Sequence, residues 1–437
     1  MVATARTATL RGIDALPVEV EVDTKGGAPS FILVGLPDKA VQESKERVYT
    51  AIQNSGLTFP NGKVVCNLAP GDLKKEGPAL DLPIAVAVLA ASNQVPLDSL
   101  RNTIFFGELS LEGNLRHVDG AVNMALLARQ LGAERLILPA CLAQEAAVVP
   151  DLEIYAVERL IDVVEILNGA LHIQPVKLIT EPAERDTKFD IDYSDVKGQR
   201  AAIRALEIVA AGGHNILMKG PPGTGKTMLA RRLPTILPPL SLDESIAVTR
   251  IYSAAGEKPQ DTGLIWRRPF RSPHSTTSYA AIVGGGTTPK PGEVSLAHLG
   301  VLFMDEFPEY QRDVLEALRQ PLEDGIVTVA RVQSTLTFPA ESILVAAMNP
   351  CPCGFKGYPE EKCIGANACE RYAGKISGPL MDRIDLHVDV PRLKPEELTN
   401  ASNNEPSEKI RERVMLARER QTARFGREHL NAKMAPR

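Results

Sequence analysis

Gly220-Pro-Pro-Gly-Thr-Gly-Lys226-Thr227 is the stretch on which the reading of this chain turns. The apolar run Asn215 to Met218 before it reads as a short buried strand, and a helix begins at Lys226. Between a strand and a helix, a glycine-rich loop of this spacing wraps a phosphate: its backbone N–H groups point inward and the helix N-terminus adds partial positive charge. In that arrangement Gly220, Pro221, Pro222, Gly223, Thr224 and Gly225 form the nucleotide-binding cradle. Lys226 reaches the β and γ phosphates of ATP, and the Thr227 hydroxyl ligates Mg²⁺. A turn that merely joins strand to helix is the competing reading, and the flanking elements count against it.

Further along, Val301-Leu-Phe-Met-Asp305-Glu306 is an apolar strand ending in two carboxylates. In an open parallel sheet, ligands bind at the carboxyl ends of the strands. Asp305 is placed there to hold the magnesium shell, and Glu306 to orient and deprotonate the attacking water. A solvated acidic turn is the alternative. A third strand, Ile343 to Met348, ends in Asn349, which could position the water or simply start the turn before Pro350. Gly378-Pro-Leu-Met-Asp-Arg383-Ile-Asp385 puts an arginine between a helix and a strand, where on residue type alone it reads as half of a surface ion pair.

Outward from this centre, 437 residues are more than one core sustains, so two or three domains are expected. Residues 1–170 mix strands (Val18 to Val22, Phe31 to Val34, Val64 to Asn67) with helices (Lys39 to Asn54, Gly120 to Leu131), an α+β layered domain. The apolar helical stretches Leu82 to Ala91 and Ala121 to Ala128 are expected to pack on its sheet. Residues 171–194 are polar and prolyl, a linker. Residues 195–391 form the α/β domain with a parallel sheet, opening with a helix over Arg200 to Ala211. Residues 392–437, with a charged helix from Glu408 to Arg424, read as the start of a truncated helical lid.

With 44% hydrophobic and 24% charged residues and no apolar run long enough to span a bilayer, the chain reads as cytoplasmic, with no membrane partner. A net charge of -5 excludes a protein that is basic all over, so any nucleic-acid contact must be local. Four of six cysteines cluster: Cys351, Cys353, Cys363 and Cys369. In a non-secreted chain such clustering points to metal rather than to disulfides, with four reduced thiols as the other reading.

Taken together, the residues resemble the YifB/ComM family, in the Mg-chelatase-like branch of the AAA+ ATPases. The most specific signals are Gly292-Glu-Val-Ser-Leu-Ala-His-Leu-Gly-Val-Leu-Phe-Met-Asp-Glu306, Val345-Ala-Ala-Met-Asn-Pro-Cys-Pro-Cys-Gly354 and Lys375-Ile-Ser-Gly-Pro-Leu-Met-Asp-Arg-Ile-Asp-Leu386. The resemblance implies that Asn349 is sensor 1 and that Arg383 is an arginine finger completing a neighbour's ATP site in trans. That use implies a ring, a homohexamer. It places Val196 to Gln199 beside the adenine. It implies a ring helicase acting on single-stranded or branched DNA, promoting branch migration in recombination or natural transformation.

The resemblance also makes residues 1–170 a ChlI-like domain of ribosomal-S5-like fold, as in Lon protease and the C-terminal domain of RadA. Gly77-Pro-Ala-Leu-Asp81 and Val118-Asp-Gly-Ala-Val122 stand where Lon carries its nucleophilic serine and its lysine, and both residues are missing. Peptide hydrolysis therefore has no nucleophile here. Two insertions are expected to face the ring pore, the glycine-rich Gly284 to Gly292 loop and a hairpin over Ile326 to Phe338, with Lys290 and Arg331 as candidate phosphate contacts. Two departures stand out. Family members often carry a second close cysteine pair, whereas Cys363 and Cys369 are five residues apart; four thiolates in so short a loop still suit a structural Zn²⁺. His274-Ser275 stands where relatives often have two histidines, and His274 is given no role. Two alternatives stay open: a magnesium chelatase motor subunit driving metal insertion into protoporphyrin, and a nucleotide-gated assembly platform without productive turnover.

Overall fold

In the first half of the chain, alternation of small apolar and polar residues drives strand formation. Ala3–Arg11 and Asp14–Lys25 pair antiparallel through a tight turn, Ala3 opposite Val22 and Arg11 opposite Asp14. They form the middle of a seven-stranded mixed sheet in a computed structural model that describes residues 2–177, 188–258, 263–286, 289–331, 334–354, 363, 366–393, 404–426 and 430–434. The chain divides into two compact units, one of residues 1–181 plus 249–265, the other of residues 182–248 plus 266–437. The expected strands over Val18 to Val22, Phe31 to Val34 and Val64 to Asn67 lie within Asp14–Lys25, Ser30–Val34 and Lys63–Ala69. The Ala3–Arg11 strand was not anticipated.

Two helices cover one another and the sheet. Lys39–Asn54 starts at Asp38, whose carboxylate accepts the Val41 N–H at 2.8 Å, an N-cap. Asp81–Ala91 is buried along its whole length, which is why its sequence is apolar on every face. Its first residue, Asp81, is a buried carboxylate held by a two-pronged contact from Arg47, Nε at 2.7 Å and a terminal nitrogen at 3.0 Å, with Ser44 and the Leu109 N–H as further donors. A buried charge is tolerable only with such partners.

Residues 249–265 join this first unit from far along the chain. Glu145, 2% exposed, accepts from the Val122 N–H at 3.2 Å, from the Ser253 hydroxyl, and pairs with Lys258 at 3.1 Å. Ser253 in turn accepts the Gly120 N–H at 2.9 Å. The stretch Val118 to Val122 thus has backbone donors engaged by Ser253 and Glu145.

In the second unit five parallel strands run in the order Phe270–Arg271, Val301–Met304, Ile343–Met348, Ile216–Lys219, Leu386–Asp389. The central three are short apolar runs buried on both faces, as a parallel sheet under helices requires. Arg200–Gly212 and Lys226–Ile236 pack beside them. The charged terminal helix, expected to begin a further subdomain, spans Ser407–Phe425 and buries Ile410 and Val414 in this same core. Arg413 binds Glu207 at 2.7 Å, and Ser407 donates its N–H to Asp192 and accepts from the Tyr193 N–H. Residues 394–403 of the preceding polar stretch, and 178–187 of the expected linker, lie outside the described residues.

Burial pushes the imidazole of His298 down to about 4, and its Nδ1 accepts the Glu341 N–H at 3.1 Å, so the neutral ring is the folded form. Because the folded value lies below the ordinary 6.5, stability is complete above pH 6.5 and is lost as the pH falls toward 4. Urea unfolding at pH 7 and pH 5 should differ by about 2 kcal/mol more in the parent than in His298→Asn. An equal acid sensitivity in both would refute the assignment.

Candidate nucleotide site

The phosphate loop lies between the Ile216–Lys219 strand and the Lys226–Ile236 helix. Gly220 is required by proximity: a Cβ there would sit 2.1 Å from the Val390 carbonyl oxygen. Gly225 starts the helix with φ of +89°, in the left-handed region that favours glycine. Lys226 is 7% exposed, and its ammonium donates to the carbonyls of Gly220 at 2.7 Å and Pro221 at 2.9 Å, and to Asn349 Oδ1 at 3.3 Å. Burial lowers its pKa, opposed by the charge of Asp305.

The Thr227 hydroxyl donates to Asp305 Oδ2 at 2.7 Å. A hydroxyl and a carboxylate converging beside the phosphate loop are hard oxygen donors of the kind Mg²⁺ takes, so the residues fit that ion. Glu306 follows with φ of +50°, uncommon for a residue with a side chain, and donates its N–H to Asp305 Oδ1 at 2.9 Å. Backbone strain of about 1–3 kcal/mol is typical of such a conformation and fixes where the exposed Glu306 carboxylate leaves the strand end. Lys226, Thr227, Asp305, Glu306 and Asn349 therefore gather at one edge of the sheet.

Arg383 is elsewhere. It precedes the Leu386–Asp389 strand, its carbonyl accepts from the Asn215 side chain at 3.0 Å, and its guanidinium binds Glu323 at 2.6 Å. Asn215 begins the strand whose far end carries the phosphate loop, so Arg383 stands at the opposite, amino edge of the sheet.

Several supporting hydrogen bonds carry no signal in residue type or spacing. Gln199, with φ of +55°, donates its side-chain amide to the Pro391 carbonyl at 2.8 Å and to the Thr224 carbonyl at 3.4 Å, tying the Val196 to Gln199 box to the loop. Tyr193, wholly buried, donates its hydroxyl to the Leu229 carbonyl at 2.9 Å on the helix after the loop. Arg271 forks onto Glu293 with both contacts at 2.6 Å. His274 is exposed, with Nδ1 2.8 Å from Thr276 Oγ1.

The expected hairpin is present as Ile326–Arg331 paired with Ser334–Pro339, anchored by buried Val327 and Phe338. Arg331 closes its ladder opposite Ser334, and its side chain lies outside the described residues. Lys290 is exposed and pairs through its backbone with Gly285; residues 287–288 between them lie outside the described residues. The sulfurs of Cys351, Cys363 and Cys369 lie within 4.8 Å of one another, with Cys363 at 3.3 Å from Cys369 and 3.9 Å from Cys351, a group that could hold a metal ion; Cys353 stands beside it, 3.1 Å from Cys351 and 3.7 Å from Cys363.

A parallel sheet carrying a phosphate loop, with an acidic pair and an asparagine on neighbouring strand ends, defines a P-loop domain of the AAA+ class. Residues 192–398 match the family model described as magnesium chelatase, subunit ChlI, and residues 20–141 the model described as subunit ChlI of Mg-chelatase. Competence protein ComM of Haemophilus influenzae is 43% identical over 97% of this chain and 83% of its own length. The uncharacterized protein YifB of Escherichia coli is 43% identical over 94% of this chain and 81% of its own. A shorter likeness, 34% over 19% of this chain and 18% of the other, is to the DNA repair protein RadA of Rickettsia typhi. The chain belongs to the YifB/ComM family of Mg-chelatase-like AAA+ proteins, a family whose class implies an ATPase that uses ATP and Mg²⁺. No helix among the described residues is long and apolar enough to cross a membrane.

Proposed function

We propose that this chain is an ATP-hydrolysing ring motor that acts on DNA, as a homohexamer engaging single-stranded or branched DNA during recombination or transformation. The observation that carries the ring is the position of Arg383. It lies at the amino edge of the sheet while Lys226 and Glu306 belong to the carboxyl edge, so an arginine finger used here serves another subunit's nucleotide. Within one subunit, Lys226 holds the β and γ phosphates, Thr227 and Asp305 hold the magnesium, Asn349 orients the water and Glu306 accepts its proton. Bound Mg²⁺ supplies charge neutralisation at the phosphates.

DNA as the substrate is supported by the ComM relationship and the RadA likeness. On the chain itself, the Ile326–Pro339 hairpin and the Gly284 to Gly292 loop are the two insertions read as facing DNA, with Lys290 and Arg331 as the phosphate contacts. The cysteine cluster is read as a structural Zn²⁺ site.

The test is ATP turnover of the purified chain with and without forked DNA. DNA should raise the rate, and Arg383→Ala should abolish turnover alone yet retain nucleotide binding. Mixing Arg383→Ala with Glu306→Gln should restore part of the rate, because some mixed interfaces pair an intact finger with an intact site. Turnover indifferent to DNA would end the DNA reading, and Arg383→Ala turning over normally would end the trans finger.

A further inference from the structure

The cysteine cluster lies next to the nucleotide site in the chain and in space. Cys351 follows Asn349 by two residues, and Asn349 is the side chain that accepts from Lys226 at 3.3 Å. The residue before Asn349, Met348, accepts the Gly220 N–H of the phosphate loop at 3.2 Å. On the other side of the cysteines, Gly354 closes the turn by donating its N–H to the Cys351 carbonyl at 2.9 Å. Gly354 also abuts the phosphate loop: a Cβ there would lie 2.6 Å from Cδ of Pro222. The turn Cys351 to Gly354 thus follows a strand end hydrogen-bonded to the loop and lies close against Pro222 at Gly354.

The second pair of thiols clamps the same turn. Cys369 lies in the Ala366–Ala373 helix, and Tyr372 on that helix hydrogen-bonds the Asn349 backbone. Cys351 and Cys369 are buried, and Cys363 reaches the cluster from the surface. In a tetrahedral thiolate site, Zn–S bonds of about 2.3 Å set sulfur–sulfur edges of about 3.8 Å. The edges between Cys353 and Cys363 and between Cys363 and Cys351, 3.7 and 3.9 Å, match that figure, and the 3.1 and 3.3 Å edges are shorter but far from bonded; Cys351, Cys363 and Cys369 lie within 4.8 Å of one another, and Cys353 is the fourth ligand that the ion would draw in. Four sulfur donors suit a soft or borderline divalent cation and not Mg²⁺. Binding releases the thiol protons to solvent as the sulfur–metal bonds form.

We propose that Cys351, Cys353, Cys363 and Cys369 hold one zinc-class ion whose presence keeps Asn349 and the phosphate loop in register, so that nucleotide binding and turnover depend on the metal. The proposal rests on reading the phosphate loop as an ATP site and the cluster as a metal site, and extends both by joining them. The cysteines are positioning residues, acting through Asn349 and Pro222. Metal loss lets the turn open, withdraws the Asn349 acceptor from Lys226 and takes Gly354 away from Pro222.

The experiment uses the whole chain, purified without chelator. Metal analysis should give about one zinc per chain, and Co²⁺ replacement should give the intense visible absorption of a tetrahedral thiolate site. Metal-free protein with the cluster oxidised to two disulfides overturns the site. Stripping with a zinc chelator should weaken binding of a fluorescent ATP analogue about tenfold and lower turnover at saturating ATP, both restored by zinc. Cys363→Ser, which removes the exposed ligand, should lose most of the metal with the same two effects. Gly354→Ala should keep its metal and still bind the analogue several-fold more weakly. Unchanged affinity and turnover in metal-free protein overturns the coupling and leaves the metal site standing. Global unfolding on stripping, read by circular dichroism, overturns it in favour of a metal that only holds the fold. A metal-loaded parent that binds no nucleotide removes the ATP-site reading, and the coupling with it.

Discussion

Glu306→Gln should lower ATP turnover by about 10²- to 10⁴-fold, the range associated with loss of a general base. Nucleotide affinity should stay close to that of the parent, because the proton transfer is made only in the transition state. The substitution keeps the length and shape of the side chain and imposes no new demand on the backbone at φ of +50°, so a change in rate reports on chemistry. Phosphate release under saturating ATP measures it, with a fluorescent ATP analogue for binding. The parental rate in Glu306→Gln would leave Asp305 and the metal as the only acidic machinery on that strand end.

Lys226→Ala acts on binding. It removes the one ammonium held inside the loop, and affinity for ATP should fall at least about 100-fold, or about 2.7 kcal/mol. Without nucleotide the sign reverses. Burial lowers the pKa of Lys226 below its ordinary 10.5, so the charged form is disfavoured in the folded chain. The unfolded chain then binds more protons between the two values, and the stability of the parent rises with pH through that window. Lys226→Ala should therefore leave the nucleotide-free protein at least as stable at pH 7 and remove this rise, which thermal unfolding at pH 7 and pH 10 tests. Unchanged affinity would contradict the placement of Lys226 against the phosphates.

The parts of the candidate nucleotide site are legible in the sequence because they are local patterns. Eight consecutive residues define the loop, and Asp305, Glu306 and Asn349 follow short unbroken apolar runs of the length of a buried strand. The Arg200–Gly212 helix and the Ile326–Pro339 hairpin were legible for the same reason. Long-range pairings left no such trace. Nothing in Glu145 announces that its partners are Ser253 and Lys258, more than a hundred positions away. The Ala3–Arg11 strand escaped because its alternation is carried by alanine and threonine, whose side chains give little hydropathy contrast. The seat of the terminal helix escaped because only Ile410 and Val414 are apolar and buried in the shared core, while Arg413 and Ser407 hold it through polar contacts. Gln199 and Tyr193 act through side-chain hydrogen bonds to backbone carbonyls, which residue type alone does not encode.

The interleaving of residues 249–265 with the first unit has a consequence for how such a gene can change. A single recombination junction in the stretch 171–194 would pass on Glu145 without Ser253 and Lys258, leaving a carboxylate in the interior stripped of its cation. Halves borrowed from two diverged lineages would meet the same mismatch at Gly120. Such a junction would cut through the first unit itself, because Gly120 and Glu145 on one side of it are held by Ser253 and Lys258 on the other.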